Sequence, residues 1–195
     1  MLTHSIGLLY GIISAYWLLS AAAAHSQDAL WGGIIFLAGF GMMFLTSSLY
    51  HYINEPRTKW MLKKADHISI YFMIAGSYTP FILIFYQNER GLILLSAMWI
   101  LTFLGVIFKI FTTGQFKYLS TAIYVLMGLA ILIVSDSFFP LLPIKVAVCI
   151  VMGGVYYLIG VLFYLRKSWY FHHPVWHLFV LAGALSHWWA LYFSL

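Results

Sequence analysis

A chain of 195 residues in which 8% of side chains are charged and 64% hydrophobic cannot cover itself with a water-facing surface, because soluble domains carry about 25% charged residues. Lipid must be its solvent, which excludes a soluble enzyme and a nucleic-acid-binding domain; the net charge of +5 then reads as an orientation signal in short loops. The single cysteine, Cys149, excludes an intrachain disulfide and a cysteine-based zinc site.

Apolar runs of about 18 to 22 residues, each near the length that spans a bilayer, predict a seven-transmembrane helix bundle in one domain over residues 1–195. The first run covers 6–24; no Lys or Arg precedes it, so it reads as a retained helix and not as a signal peptide. The second covers 30–51 and ends in Ser47-Ser48-Leu49-Tyr50-His51. A polar break over 54–64 leads to the third, 67–86, which Asp66 opens and Pro80 is expected to kink. The fourth covers 91–111, the fifth 118–135 and the sixth 144–165. The seventh, 175–193, follows His173 and Pro174 and carries His177 in its first turn.

Eight of the ten Lys and Arg fall in alternate connections: Arg57, Lys59, Lys63 and Lys64, then Lys109 and Lys117, then Arg166 and Lys167. The opposite side holds only Arg90 and Lys145. The positive-inside rule therefore predicts a cytoplasmic N-terminus and a C-terminus outside.

Ionisable groups near a membrane are costly and point to function. Ser47 and His51 close the second span, Asp66 opens the third, His173 and His177 open the seventh, and His4 precedes the first. With the predicted topology all of them meet at the cytoplasmic face. His173 and His177 are four residues apart and share one helix face. With a third imidazole from His51 they make a three-histidine set suited to zinc with its fourth position open. Asp66 could orient or deprotonate a water, and Ser47 could donate to a developing oxyanion. Taken singly, each residue has a plainer reading. Asp66 serves as a helix N-cap, Ser47 bonds back to its own helix, and a lone His51 is an interfacial histidine. Their convergence from three helices favours a metal site. His4 stands in reserve as ligand or as hydrogen-bond partner of a ligand, and His187 is expected deeper in the bundle with a hydrogen bond of its own.

Ser47-x-x-x-His51, Asp66 and His173-x-x-x-His177 together resemble the signature of the haemolysin III family, part of the progestin and adipoQ receptor (PAQR) superfamily. The stretches 66–80, 3–7 and 177–183 resemble its bacterial branch especially closely. The resemblance implies a seven-helix bundle in a bacterial inner membrane, zinc on His51, His173 and His177, and functional roles for Ser47 and Asp66. A likeness of the superfamily to alkaline ceramidases implies metal-dependent amide hydrolysis in lipid. The chain opens almost at its first helix, so the amphipathic N-terminal segment that the resemblance would imply is not expected here. The leading expectation is a Zn2+-dependent hydrolase of a lipid-like amide or ester, with membrane lipid around it. The alternatives are a receptor-like or membrane-homeostasis protein with structural zinc, and a haemolysin or pore former.

Overall fold

The computed structural model describes residues 2–166 and 168–195; Lys167, one of the basic residues counted above, lies outside them. The described residues fold into long helices without a strand. They are α1 (Leu2–His25), α2 (Gln27–Tyr52), α3 (Pro56–Phe85), α4 (Glu89–Thr112), α5 (Lys117–Leu129), α6 (Ile144–Leu165) and α7 (His172–Tyr192). Beyond α5 the chain continues as a 3-10 stretch (Ala130–Val134), one α-turn (Ser135–Phe138) and a second 3-10 turn (Phe139–Leu141).

Among the described residues six helices are long and apolar enough to cross a membrane: α1, α2, α3, α4, α6, and α5 taken through Leu141. The expected seventh run is also helical, but His172, His173, His177 and His187 dilute its apolar character. Large apolar side chains such as Ile13, Phe103 and Leu162 point outward, as lipid-facing positions require. A chain with this many apolar helices long enough to span is a multi-pass membrane protein.

Two features differ from the sequence reading. The polar break over 54–64 is mostly helix, because α3 begins eleven residues before the expected span. Glu55 caps it, its carboxylate accepting from the backbone N–H of Arg57 at 2.9 Å and of Thr58 at 2.6 Å. Pro56 fills the first helical position, where its missing N–H costs nothing. Lys64 Nζ lies 3.8 Å from the centre of the Trp60 ring, a cation–π contact that supports the exposed turns. Asp66 therefore sits about three turns inside α3 and is not its N-cap. In the same way α1 starts at Leu2, so His4 is inside a helix rather than before one.

α2 and α3 pack most extensively, followed by α6 against α7; α1 bridges α2 and α7, and α4 lies against α3. Phe36, Phe40 and Phe44 of α2 and Tyr71 and Ile82 of α3 form the buried centre. At Gly39 a Cβ would lie 2.7 Å from the carbonyl oxygen of Phe72, so only glycine lets α2 and α3 approach this closely. α3 continues through Pro80 as helix. α5 has few partners, and this loose packing leaves space inside the bundle.

Candidate metal centre

α2 delivers His51 from its last turn, and α7 delivers His173 and His177 from its first two turns. Phe171, in the left-handed region at φ 60°, turns the chain into α7. Pro174 falls in the first turn, where no hydrogen-bond donor is required. The start of α7 is thus set by local sequence, and it aims both histidines at the end of α2.

The three rings converge through Nε2. His173 Nε2 lies 3.4 Å from His51 Nε2 and 3.0 Å from His177 Nε2, and one ligand nitrogen from each residue falls within 4.8 Å of the others. A tetrahedral ion with nitrogen ligands at about 2.0–2.1 Å sets neighbouring nitrogens about 3.3 Å apart, so the triad has the spacing to hold a metal ion. His177 is buried, and His51 is less enclosed.

His4 supports the triad from α1. Its Nε2 lies 2.7 Å from His177 Nδ1, with the rings edge-on at 4.0 Å. When His177 Nε2 serves a metal, Nδ1 carries the proton and donates to His4 Nε2. That arrangement makes His4 a hydrogen-bond partner of a ligand and spends the nitrogen it would need to be a ligand itself. His4 Nδ1 is buried without a partner.

Ser47 is buried one turn before His51. Its hydroxyl makes no well-formed hydrogen bond, and the Asp66 carboxyl is its polar neighbour across the α2–α3 seam. The same seam carries a hydroxyl chain, with Thr46 Oγ1 donating to Ser69 Oγ at 3.2 Å and Ser69 Oγ to the Asp66 carbonyl at 2.8 Å. Asp66 lines one cavity with His51 and His173. That cavity, of about 650 Å³, runs between α3, α5, α6 and α7 among apolar side chains such as Ile74, Tyr78, Phe81, Ile150 and Val180.

His67, His187 and His25 are not part of the triad. His67 donates from Nδ1 to the Lys63 carbonyl at 2.7 Å. His187 donates to the Gly183 carbonyl at 3.0 Å and stacks on Tyr157, as expected of a histidine deeper in the bundle. His25 lies at the opposite end of α1. Sequence reading missed Lys109, which is 1% exposed and borders the cavity with Lys63. The available signal was an ammonium placed two residues inside the end of the fourth apolar run.

The chain matches the family model described as Haemolysin-III related over residues 1–188. It is 36% identical to the hemolysin-3 homolog of Bacillus subtilis (strain 168) over 188 residues, 95% of this chain and 87% of that protein. To hemolysin-3 of Bacillus cereus it is 34% identical over 184 residues, 94% and 84% of the two chains. The human monocyte to macrophage differentiation factor is 26% identical over 204 aligned positions, 97% of this chain and 80% of its own. No solved structure matches. A match over nearly the whole chain, with two bacterial relatives above one-third identity, places this protein in the haemolysin III family.

Proposed function

We propose that this chain is a seven-span hydrolase that binds zinc through Nε2 of His51, His173 and His177 and cleaves an amide or ester in a lipid-like substrate. The observation that carries the reading is three imidazole nitrogens converging on an apolar cavity that His51, His173 and Asp66 line together. Zinc bound there would polarise a carbonyl and lower the pKa of a bound water to about 7. Asp66 faces the cavity and takes the proton from the attacking water. The Ser47 hydroxyl, uncommitted to any well-formed hydrogen bond, donates to the oxygen on which charge develops. His4 fixes the tautomer of His177. The apolar cavity holds the substrate's chain and excludes water.

Seven spans follow if α7, which packs along α6 and α1, crosses with them. Arg57, Lys59, Lys63, Lys64, Lys109, Lys117 and Arg166 belong to the helix ends that carry the histidines. That bias supports a cytoplasmic N-terminus and a site on the cytoplasmic face of a bacterial inner membrane.

A structural-zinc reading has one observation of its own. α2 and α7 make little direct contact, so a metal would be their main tie. Asp66→Asn separates the two: the hydrolase retains metal and loses about 10²–10⁴ in rate, whereas the clamp loses nothing. The relatives named hemolysin suggest a pore, but below the histidines the cavity is largely apolar. The first test is metal content of detergent-purified protein beside His51→Ala and His173→Ala/His177→Ala. About one zinc per wild-type chain, lost in the variants, is expected, followed by turnover in a panel of lipid amides and esters. A well-folded wild type that binds no zinc refutes the mechanism.

A further inference from the structure

Lys109 has no role in the hydrolase reading, and its position is costly. It sits near the end of α4 with 1% of its surface exposed, and lysine is almost never buried without a partner. Its Nζ donates to Ser120 Oγ at 2.5 Å, and Ser120 Oγ donates to the Phe116 carbonyl at 3.0 Å. The hydroxyl oxygen solvates the ammonium without neutralising it. Lys63 borders the same cavity, close enough for the two like charges to repel. Among the described residues no carboxylate is within ion-pair reach of Lys63 or Lys109. Asp66 shares the cavity but forms no ion pair with either.

Lys63, His67 and Lys109 all border the apolar cavity. Two ammonium groups that border a common space without an ion pair of their own, Lys109 buried and Lys63 partly so, form half of an ion-binding arrangement. An anion between them replaces one repulsion by two attractions, and lysine is a common phosphate binder. The volume of about 650 Å³ falls in the range of small-molecule sites, about 300–1,000 Å³, and suits one acyl chain better than a two-chain phospholipid.

We propose that the cavity takes a single-chain amphiphile with an anionic head, phosphate or carboxylate, whose charge is held by Lys63 and Lys109 while its chain lies among Ile74, Tyr78, Phe81 and Ile150. This names the substrate class of the proposed hydrolase and rests on that reading for its chemistry, but not for its binding.

The test is binding of dodecyl phosphate, laurate, dodecylphosphocholine and inorganic phosphate to the full chain in neutral maltoside detergent. Each is measured on wild type and on His173→Ala/His177→Ala, which leaves no metal triad to capture an anion. Both anionic amphiphiles should bind about tenfold more tightly than the zwitterion, a difference of about 1.4 kcal/mol, in both proteins. Lys63→Gln and Lys109→Gln should abolish that preference, and Lys109→Arg should keep it. If Lys109→Gln does not fold, Lys63→Gln decides alone. Equal affinity for all heads overturns the proposal. So does a preference that disappears with the histidines and survives Lys63→Gln, or inorganic phosphate binding as tightly as the alkyl phosphate. Zinc-loaded protein that prefers anions but turns nothing over removes the hydrolase reading and leaves this one standing; turnover without head preference does the reverse.

Discussion

Replacing His4 by alanine tests how the triad is held. The substitution removes the acceptor 2.7 Å from His177 Nδ1 and leaves the three Nε2 atoms untouched. Partners of this kind orient a metal-binding imidazole, and losing one costs about 10–100-fold in metal affinity, or about 1.4–2.7 kcal/mol. The imidazole is also packed, 4% exposed and edge-on to Phe44 at 5.0 Å, so truncation costs stability as well. His4→Gln separates the two effects, because its side-chain oxygen reaches the place of Nε2 and accepts the same hydrogen bond. Zinc affinity is read by competition with a chromophoric chelator in detergent, and stability by thermal unfolding of the metal-free protein. We expect His4→Ala to lose affinity and His4→Gln to recover most of it. An alanine variant that melts lower yet binds zinc as tightly as wild type would falsify the positioning role. Loss of zinc in both variants would instead make His4 a ligand.

Three further outcomes follow from the packing. Ser47→Ala should fold and melt within a few degrees of wild type while turnover falls, because the hydroxyl's one polar neighbour is the Asp66 carboxyl and a single hydrogen bond is worth about 0.5–1.5 kcal/mol; unchanged turnover contradicts its role as a donor. Gly39→Ala drives a methyl to 2.7 Å from the Phe72 oxygen and should destabilise by about 1–3 kcal/mol, whereas Gly41→Ala, with nothing within 4 Å, should be neutral in the same melt. Hydrogen bonds from Thr58, through side chain and backbone, and from the Arg57 N–H hold the Glu55 carboxyl below the usual carboxylate range. A depressed value means that the cap contributes at neutral pH and is lost as pH falls through the folded value. Amide protection of Arg57 and Thr58 should drop in that acidic window and stay flat in Glu55→Gln.

The triad was legible because its parts are chemically out of place. Histidines at i and i+4 on an apolar helix declare a shared face, and alternating charge placed His51 at the same end. Register alone could not show that His4 reaches His177 rather than a metal, since α1 begins earlier than its apolar run. Helix α3 was read too short because its first turns are polar, although they are capped by Glu55 and braced by Trp60. The break of α5 into 3-10 turns left no mark in an apolar run with few strong helix breakers. The cavity, and with it Lys63 and Lys109, depends on how far α5 stands from its neighbours, a tertiary quantity that no local pattern carries.

The contact between His4 and His177 joins residues 173 positions apart, nearly the whole length of the chain. A polypeptide emerging from the ribosome and stopping before α7 owns only His51 of the three converging rings. Capture of a metal by the triad would therefore have to await the end of synthesis. The last helix is also weakened by its four histidines as an independent apolar segment, and it comes to rest on α6 and α1, which were made before it. The centre thereby doubles as a mark of completion, since a truncated or misinserted chain cannot assemble the three nitrogens.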